Sequence, residues 1–326
     1  MIWALRAEIW DIIDLERDAS QKQESVTLSS QKAAKTFLLG VGCQKGGTTW
    51  LHDYLKTSDQ VDLGFLKEYH VFDALDIPSC RHQLEKIQRR ARKLEGKPAA
   101  SAPNREKIRA RAGFYSNPES YFDYFQGLLE QDPGIHLTAD ITPSYAGLSE
   151  ARLRFIKETF ERRGIAVKAV FLMRDPVERI WSAIRMNHRK LRTENPQAPR
   201  LKKTEEALLL EVYDKEQQSY RTRYDATIGN LERVFAPEDI LYQFYERLFD
   251  DAAVRGICAF LGIDFMPPDF GRRLNASPKS SGLSESAMRK VALHYRDTYE
   301  FVARKFDRDA LEDIWPGMRF VTPAPV

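Results

Sequence analysis

The first segment with residues suited to chemistry is a glycine-rich loop at 42–50, which reads G-C-Q-K-G-G-T-T-W. The apolar run at 37–41 precedes it and residues 48–55 have helical periodicity, so we predict a strand, a loop and a helix in that order. The backbone N–H groups of such a loop, together with the first turn of the helix, bind anions. The loop therefore predicts a phosphate or sulfate site.

The lysine of this loop is not in the position that a Walker loop requires. A Walker loop has Lys and then Ser or Thr directly after its last glycine, and the hydroxyl holds Mg²⁺. Here Thr48 stands at the lysine position, and Lys45 lies three residues earlier, where it would meet the phosphate group from the loop. Magnesium-dependent ATP hydrolysis is therefore disfavoured, and we expect no metal site.

Residues 44–51, Q-K-G-G-T-T-W-L, resemble the 5′-phosphosulfate loop of sulfotransferases that use 3′-phosphoadenosine 5′-phosphosulfate (PAPS). The common form of that loop is P-K-S-G-T-T-W-L, and the R-K-G-G-T form of the glycosaminoglycan branch and related bacterial enzymes is more similar. The resemblance implies that Lys45 neutralises the bridging oxygen as the nucleotide leaves, and that Trp50 lies near adenine. The residues that it assigns to the 5′-phosphate are Gly46, Gly47, Thr48 and Thr49.

A second motif, F-L-M-R-D-P-V-E-R at 171–179, resembles the 3′-phosphate site of the same family, with Ser182 eight residues after Arg174. Arg174 would offer a charged donor fork and Ser182 a hydroxyl. Taken alone, R-D-P before a helix is also an ordinary strand-to-helix connection with an Asp cap and a Pro in the first turn. Because both motifs occur in the order of the family, we favour the binding site.

The segment 67–73, K-E-Y-H-V-F-D, resembles the K-E-x-H-F-F-D segment of glycosaminoglycan-type and related bacterial sulfotransferases. The resemblance assigns the general base to Glu68, and we count Lys67 beside it as catalytic. His70 is the alternative base, since an unperturbed histidine titrates near neutral pH. Otherwise we expect His70 to contact substrate or to support the local structure.

Two further segments resemble parts of the family. Residues 139–145, A-D-I-T-P-S-Y, are similar to its E-K-T-P-x-Y segment. In the family this segment approaches the acceptor, so the resemblance implies that Asp140 and Tyr145 contact the substrate. Ile141 stands where the lysine would be, and Lys67 would take over part of its role. Residues 274–282 loosely resemble the loop that closes over the nucleotide, which makes Lys279 a candidate nucleotide contact.

The remaining pattern indicates an α/β protein with a P-loop-like three-layer fold, in which helices flank a central parallel sheet. Val167–Met173 suits a buried parallel strand, and a helix over Val177–Lys190 follows Pro176. Ile240–Tyr245 suits a further strand, with a helix through Phe260. We predict an N-terminal amphipathic helix and linker at 1–35 and a single catalytic domain at 36–326.

Two segments within that domain have the character of basic insertions. Residues 79–111 contain eleven Lys/Arg against three Glu, and residues 185–203 contain seven against one. Such runs are solvated helix faces or a basic rim that attracts an anionic acceptor.

Composition limits the remaining choices for this chain of 326 residues. Its 50 basic and 47 acidic residues give a net charge of +3, which does not imply nucleic acid as a partner. Three widely separated cysteines favour a reducing cytoplasm, and the charged N-terminus contains no membrane span.

We therefore expect transfer of a sulfuryl group from PAPS to a hydroxyl or amine of an acceptor. An anionic compound, a saccharide, a lipid, a peptide and a small natural product are all open as acceptors, and so is the oligomeric state. A P-loop kinase or NTPase and a non-catalytic nucleotide- or glycan-binding module are the alternatives.

Overall fold

A central sheet of four parallel strands organises the computed structural model, which describes residues 34–94, 102–271 and 282–321. Its spatial order is β2-β1-β3-β4. The strands are β1 (Thr36–Gly42), β2 (Leu137–Ile141), β3 (Ala166–Met173) and β4 (Ile240–Phe244). In the register of the sheet, Leu38 of β1 lies opposite Ala139 of β2 and Lys168 of β3.

Helices connect the strands and cover both faces of the sheet. Those between β1 and β3 are α1 (Thr48–Leu55), α2 (Phe72–Asp76), α3 (His82–Leu94), α4 (Ala102–Ser116), α5 (Glu119–Glu130) and α6 (Glu150–Glu161). Those between β3 and β4 are α7 (Pro176–Glu194), α8 (Glu205–Val212), α9 (Glu216–Ser219) and α10 (Tyr224–Glu232). Those after β4 are α11 (Asp251–Leu261), α12 (Glu285–His294), α13 (Arg296–Lys305) and α14 (Arg308–Ile314).

The strands are buried on both sides, and this explains their nearly continuous apolar sequences. Phe37, Leu39 and Val41 of β1 belong to one core cluster, which most of the helices share, whereas Leu38 belongs to the other. That second cluster is closed mainly by α1 and α11. The predicted α/β class and its three layers are confirmed.

The order of the strands creates a crevice at the carboxyl end of the sheet. The chain leaves β1 for β2 on one side and then returns to β3 on the other side of β1. Connections that depart in opposite directions from neighbouring strands leave an opening at their carboxyl ends, which is where open parallel sheets bind ligands. The glycine-rich loop follows β1 and Arg174 follows β3, so both predicted phosphate motifs lie at this opening.

Most predicted elements occur within one or two residues of their expected bounds, but β2 was not predicted. The basic segment 79–111 includes α3 and part of α4, which pack together, and the segment 185–203 begins inside α7. The predicted N-terminal helix and Lys279 lie outside the described residues. Among the helices in the described ranges, none is long and apolar enough to cross a membrane.

Gly40 should be required for the close pairing of β1 with β2. A Cβ at this position would lie 2.9 Å from the backbone Cα of Ile141, so Gly40→Ala must push the strands apart. We expect the free energy of unfolding to fall by about 1–3 kcal/mol in urea denaturation. Gly256→Ala is the control, because a Cβ there meets nothing within 4 Å; it should stabilise the helix by about 0.5–1 kcal/mol. Equal effects would contradict the strand packing.

Candidate functional site

A cavity of about 960 Å³ opens at the carboxyl end of the sheet and brings most of the predicted site residues together. The predicted residues that line it are Lys45, Gly47, Thr48, Thr49, Trp50, Lys67, Glu68, His70, Arg174 and Ser182. Gly46, Asp140 and Tyr145 are not among the lining residues.

The glycine-rich loop turns from β1 into α1 through unusual backbone conformations. Lys45 and Gly47 have φ angles of 72° and 98°, and Gly47 caps α1. A Cβ on Gly47 would lie 2.5 Å from Leu248 Cδ2, so only glycine fits this position. Non-glycine residues in the left-handed region are uncommon and concentrate at functional sites. The sharp turn aims the Lys45 side chain into the cavity.

Lys45 lies in a strongly cationic environment. Burial lowers its pKa, and the charges of Arg174, Arg189 and Arg185 lower it further, to about 8. The described part of the chain offers Lys45 no carboxylate within ion-pair distance. Its ammonium group is still mostly charged at neutral pH and favours an incoming anion.

Arg174 connects the second motif to the loop. Its Nη1 donates to the Lys45 carbonyl oxygen at 3.2 Å, and its guanidinium lies 4.3 Å from the centre of the Tyr245 ring. Its Nη2 lies 3.4 Å from Glu178 Oε2, while its buried Nε has no hydrogen-bond partner among the described residues. A free donor on a fixed guanidinium is suited to an oxyanion.

The second motif forms an ordinary strand-to-helix connection and also lines the cavity. Asp175 caps α7 by accepting from the Glu178 backbone N–H at 2.9 Å, and Pro176 begins the helix, as the ordinary connection requires. Ser182 faces the cavity two turns further along this helix. The cap therefore positions Arg174 and Ser182 on the wall of the cavity.

A series of hydrogen bonds joins Glu68, His70 and Asp73 beside the glycine-rich loop. His70 Nε2 lies 3.2 Å from Glu68 Oε2, and His70 Nδ1 lies 2.7 Å from Asp73 Oδ2. Lys67 Nζ donates to Glu68 Oε1 at 2.7 Å and also reaches Thr48 Oγ1 at 3.4 Å. Lys67 thus joins the Glu68 carboxylate to the phosphate loop.

Electrostatics fix the charge states along this series. Burial favours the neutral form of Glu68, but the hydrogen bond from His70 and the charge of Lys67 outweigh it and lower its pKa to about 2. Burial also disfavours the imidazolium of His70, yet hydrogen bonds to Asp73 and Glu68 raise its pKa to about 9. At neutral pH, Glu68 is therefore a carboxylate and His70 a cation. This charge state disfavours His70 as a proton acceptor.

The structure does not bring Asp140 and Tyr145 to the cavity, contrary to the expected substrate contacts. Asp140 is fully buried, and its Oδ2 accepts hydrogen bonds from Tyr145 at 2.7 Å and Tyr121 at 3.0 Å. The cause is the two-residue period of β2, which directs Asp140 into the core. Burial raises its pKa to about 6, although the hydroxyl donors lower it.

Asp140, Thr142 and Tyr145 instead hold the backbone of the segment that bears Glu68. Asp140 Oδ1 accepts from the Tyr69 N–H at 3.4 Å, and Thr142 Oγ1 accepts from the His70 N–H at 3.4 Å. The Tyr145 hydroxyl accepts from the N–H of residue 71 at 3.3 Å. Three consecutive backbone donors are thereby fixed from β2 and the turn that follows it.

An aromatic cluster beside the loop was only partly predicted. The Trp50 ring stacks on Phe270 at 6.0 Å between ring centres and packs edge-on against Phe249 at 5.5 Å. All three line the cavity. Sequence reasoning found Trp50 from its motif, but no motif marks the two phenylalanines.

Two buried arginines in the cavity were missed as site residues. Arg185 is 5% exposed and Arg221 is 8% exposed, and both line the cavity. Arg185 lies three residues after Ser182, on the same face of α7. That spacing is a signal that could have identified Arg185. Arg221 follows a short helix without any motif.

Residues 38–267 match the profile described as "Sulfotransferase family". A sulfotransferase from Alicyclobacillus acidocaldarius is similar in structure, with a TM-score of 0.53 and 16% identity over 83% of this chain and 95% of that one.

Two further sulfotransferase structures match most of this chain. Sulfotransferase STF9 from Mycobacterium avium has a TM-score of 0.42 and 15% identity over 86% of this chain and 80% of that one. The sulfotransferase domain of the curacin biosynthetic pathway has a TM-score of 0.39 and 17% identity over 80% and 96%. Among curated proteins there is no significant match.

The two carboxylates that hydrogen-bond His70, those of Glu68 and Asp73, predict an unusually high pKa for its imidazole. In an NMR titration of the ring signals, assigned with His70→Asn, we expect His70 to remain protonated until its pKa of about 9. Glu68→Gln removes one of its two anionic partners and should lower this pKa by about one unit. A His70 that titrates near 6.5, or one that does not respond to Glu68→Gln, would contradict the charge assignment.

Proposed function

The chain belongs to the sulfotransferase family, and from that premise we propose that it transfers a sulfuryl group from PAPS to a hydroxyl or amine of an acceptor. The observation that supports this proposal most is the connection of Lys45, Arg174 and Glu68 around one cavity. Arg174 hydrogen-bonds the Lys45 backbone, and Lys67 bridges the loop to Glu68.

The described residues fit the nucleotide. Lys45 has no carboxylate partner, and the Arg174 Nε has no hydrogen-bond partner, within the described ranges. The loop amides and the start of α1 would bind the 5′-phosphosulfate, whereas Arg174 and Ser182 would bind the 3′-phosphate. The aromatic cluster of Trp50, Phe249 and Phe270 lines the cavity and suits the flat face of adenine.

PAPS supplies the sulfuryl group, and the residues of the cavity supply charge and proton transfer. The acceptor oxygen or nitrogen forms a bond to sulfur while the bond from sulfur to the bridging phosphate oxygen breaks. Lys45 stabilises the negative charge that develops on that leaving oxygen. Glu68 takes the proton of the acceptor, and Lys67 and His70 hold its carboxylate in place.

The low pKa of Glu68 has two consequences for such a base. Its carboxylate is ionised throughout the neutral range, so every enzyme molecule is ready to accept a proton. After transfer, the protonated form is strongly acidic beside two cations, and the Glu68 side chain is 34% exposed. The proton therefore leaves readily to solvent. The cost is a weaker proton affinity, which the geometry of the bound acceptor must offset.

The 3′-phosphate should dominate nucleotide selectivity. We expect calorimetry to give tighter binding of 3′-phosphoadenosine 5′-phosphate (PAP) than of AMP, by about 1.5–3 kcal/mol for a charged hydrogen bond. Arg174→Gln should remove most of this difference while weakening AMP much less. Equal affinity of the parent protein for both nucleotides would contradict the assignment of Arg174 and Ser182.

The role of Glu68 is tested by separating binding from turnover. With isotopically labelled PAPS and a panel of hydroxyl and amine acceptors, Glu68→Gln should lower kcat by about 10²–10⁴-fold and leave PAP affinity nearly unchanged. His70→Asn should cost less, because its imidazolium only orients Glu68. A folded His70→Asn without turnover, beside an active Glu68→Gln, would assign the base to His70. Absence of labelled transfer to every acceptor by the parent protein would count against the proposed function.

A further inference from the structure

Arg185 and Arg221 place positive charge in the cavity that the nucleotide motifs do not account for. Both residues are more than nine-tenths buried and both line the cavity. Arg185 lies 4.3 Å from the centre of the Trp181 ring, and Arg221 lies 4.9 Å from that of Tyr220. The aromatic rings hold the planar groups in fixed orientations without neutralising them.

Several of their donors have no partner in the described part of the chain. These donors are Nε and Nη1 of Arg185 and Nε of Arg221. The remaining bonds of Arg221 are long, at 3.4 Å to Ser144 Oγ and 3.4 Å to the Gln217 carbonyl oxygen. Buried charged groups without partners are costly, so natural proteins keep them mainly where a ligand completes them.

The acids of the cavity do not serve as those partners. Among the described residues, its lining contains two carboxylates, Glu68 and Glu246. Lys67 and His70 already occupy Glu68, and Glu246 accepts from the Asp175 N–H and from Trp315 Nε1, each at 3.2 Å. The charges of Glu178 and Glu205 also act on Arg185, but burial outweighs them and lowers its pKa.

Arg221 lies on the side of the cavity that bears Glu68. Its contact Ser144 follows β2 two residues after Thr142, which holds the His70 backbone. Arg221 thus contacts the segment that holds the backbone beside Glu68, and both side chains line the same cavity.

We propose that Arg221 and Arg185 bind an oxyanion group of the acceptor, a carboxylate or a phosphate or sulfate ester, while its hydroxyl or amine faces Glu68. This inference rests on the proposed function and adds the chemical class of the substrate. Guanidinium forks match the geometry of such groups through paired N–H donors, and a dry setting strengthens each bond. An acceptor without the anionic group would leave both arginines unpartnered, so the site selects charged acceptors.

The test uses the full chain saturated with PAP, so that the nucleotide end is filled, and inorganic sulfate as the probe. Calorimetry should detect one sulfate bound per protein. Arg221→Gln and Arg185→Gln should each weaken it by about tenfold to a hundredfold, the size of one lost charged hydrogen bond. Lys190→Gln is the matched control, because Lys190 also lines the cavity but is 64% exposed and lies 3.8 Å from Glu194. It should change sulfate affinity less than about twofold.

Other outcomes overturn the inference. Sulfate that does not bind, or that binds equally well to both arginine variants, would show that the two arginines form no anion site. If both variants weaken PAP as much as Arg174→Gln does, the arginines belong to the nucleotide. A parent protein that does not bind PAP refutes the proposed function instead. Arg221→Lys, which keeps the charge but loses the fork, replaces Arg221→Gln if that variant does not fold, and an intermediate affinity is expected.

The matched substrates are 4-hydroxyphenylacetate and its methyl ester, which differ in one charge. With labelled PAPS, the carboxylate should have the higher kcat/KM by about tenfold or more, and Arg221→Gln should reduce this preference. A neutral ester that is as good a substrate as the acid would contradict the proposed acceptor class.

Discussion

A hydrogen bond from the Arg174 guanidinium to the carbonyl oxygen of Lys45 joins the two motifs that follow β1 and β3. Parallel pairing fixes these strands side by side, with Leu39 opposite Ala169 and Gly40 opposite Val170. The hydrogen bond from Arg174 to Lys45 extends this alignment of the two strands from the sheet into the loop. The same contact holds the left-handed backbone of Lys45. Lys45 and Arg174 therefore present their charges to one cavity.

The charge of the cavity is set by how each carboxylate is partnered. Glu68 and Glu246 line the same cavity, yet their pKa values move in opposite directions. Burial is the largest influence on both pKa values and raises each of them. The neighbouring cations nonetheless lower the pKa of Glu68 to about 2. Burial and the adjacent Asp175 raise that of Glu246 to about 7. Two carboxyl groups with separated pKa values have separate roles. Glu246 is partly protonated near neutrality, so it offsets only part of the positive charge that surrounds it.

Apolar runs and loop chemistry predicted much of the fold and part of the site. β1 and β3 were found because both of their faces are buried, and this gives uninterrupted apolar sequences. β2 was missed because its five residues include Thr138 and Asp140, which are buried and polar. Arg221 could not be found either. Its place in the cavity comes from tertiary packing of the segment after α9, and no local pattern encodes this packing.

The error at Asp140 has a physical cause that also explains why an acid stands there. A motif resemblance transfers a position along the chain, but the direction of the side chain depends on which face of the strand it occupies. Asp140 faces the core, where it accepts bonds from Tyr121, Tyr145 and Thr142. Hydrogen bonds to Asp140, Thr142 and Tyr145 in turn hold the backbone N–H groups of residues 69–71.

This arrangement stabilises a conformation that the local sequence alone would not favour. His70 has a φ angle of 53°, in the left-handed region that costs energy for a residue with a side chain. Hydrogen bonds to the N–H groups of residues 69, 70 and 71 offset this strain. The result turns the imidazole toward Glu68 on one side and Asp73 on the other. Asp140 on β2 and the residues after it therefore hold the backbone beside the proposed base Glu68.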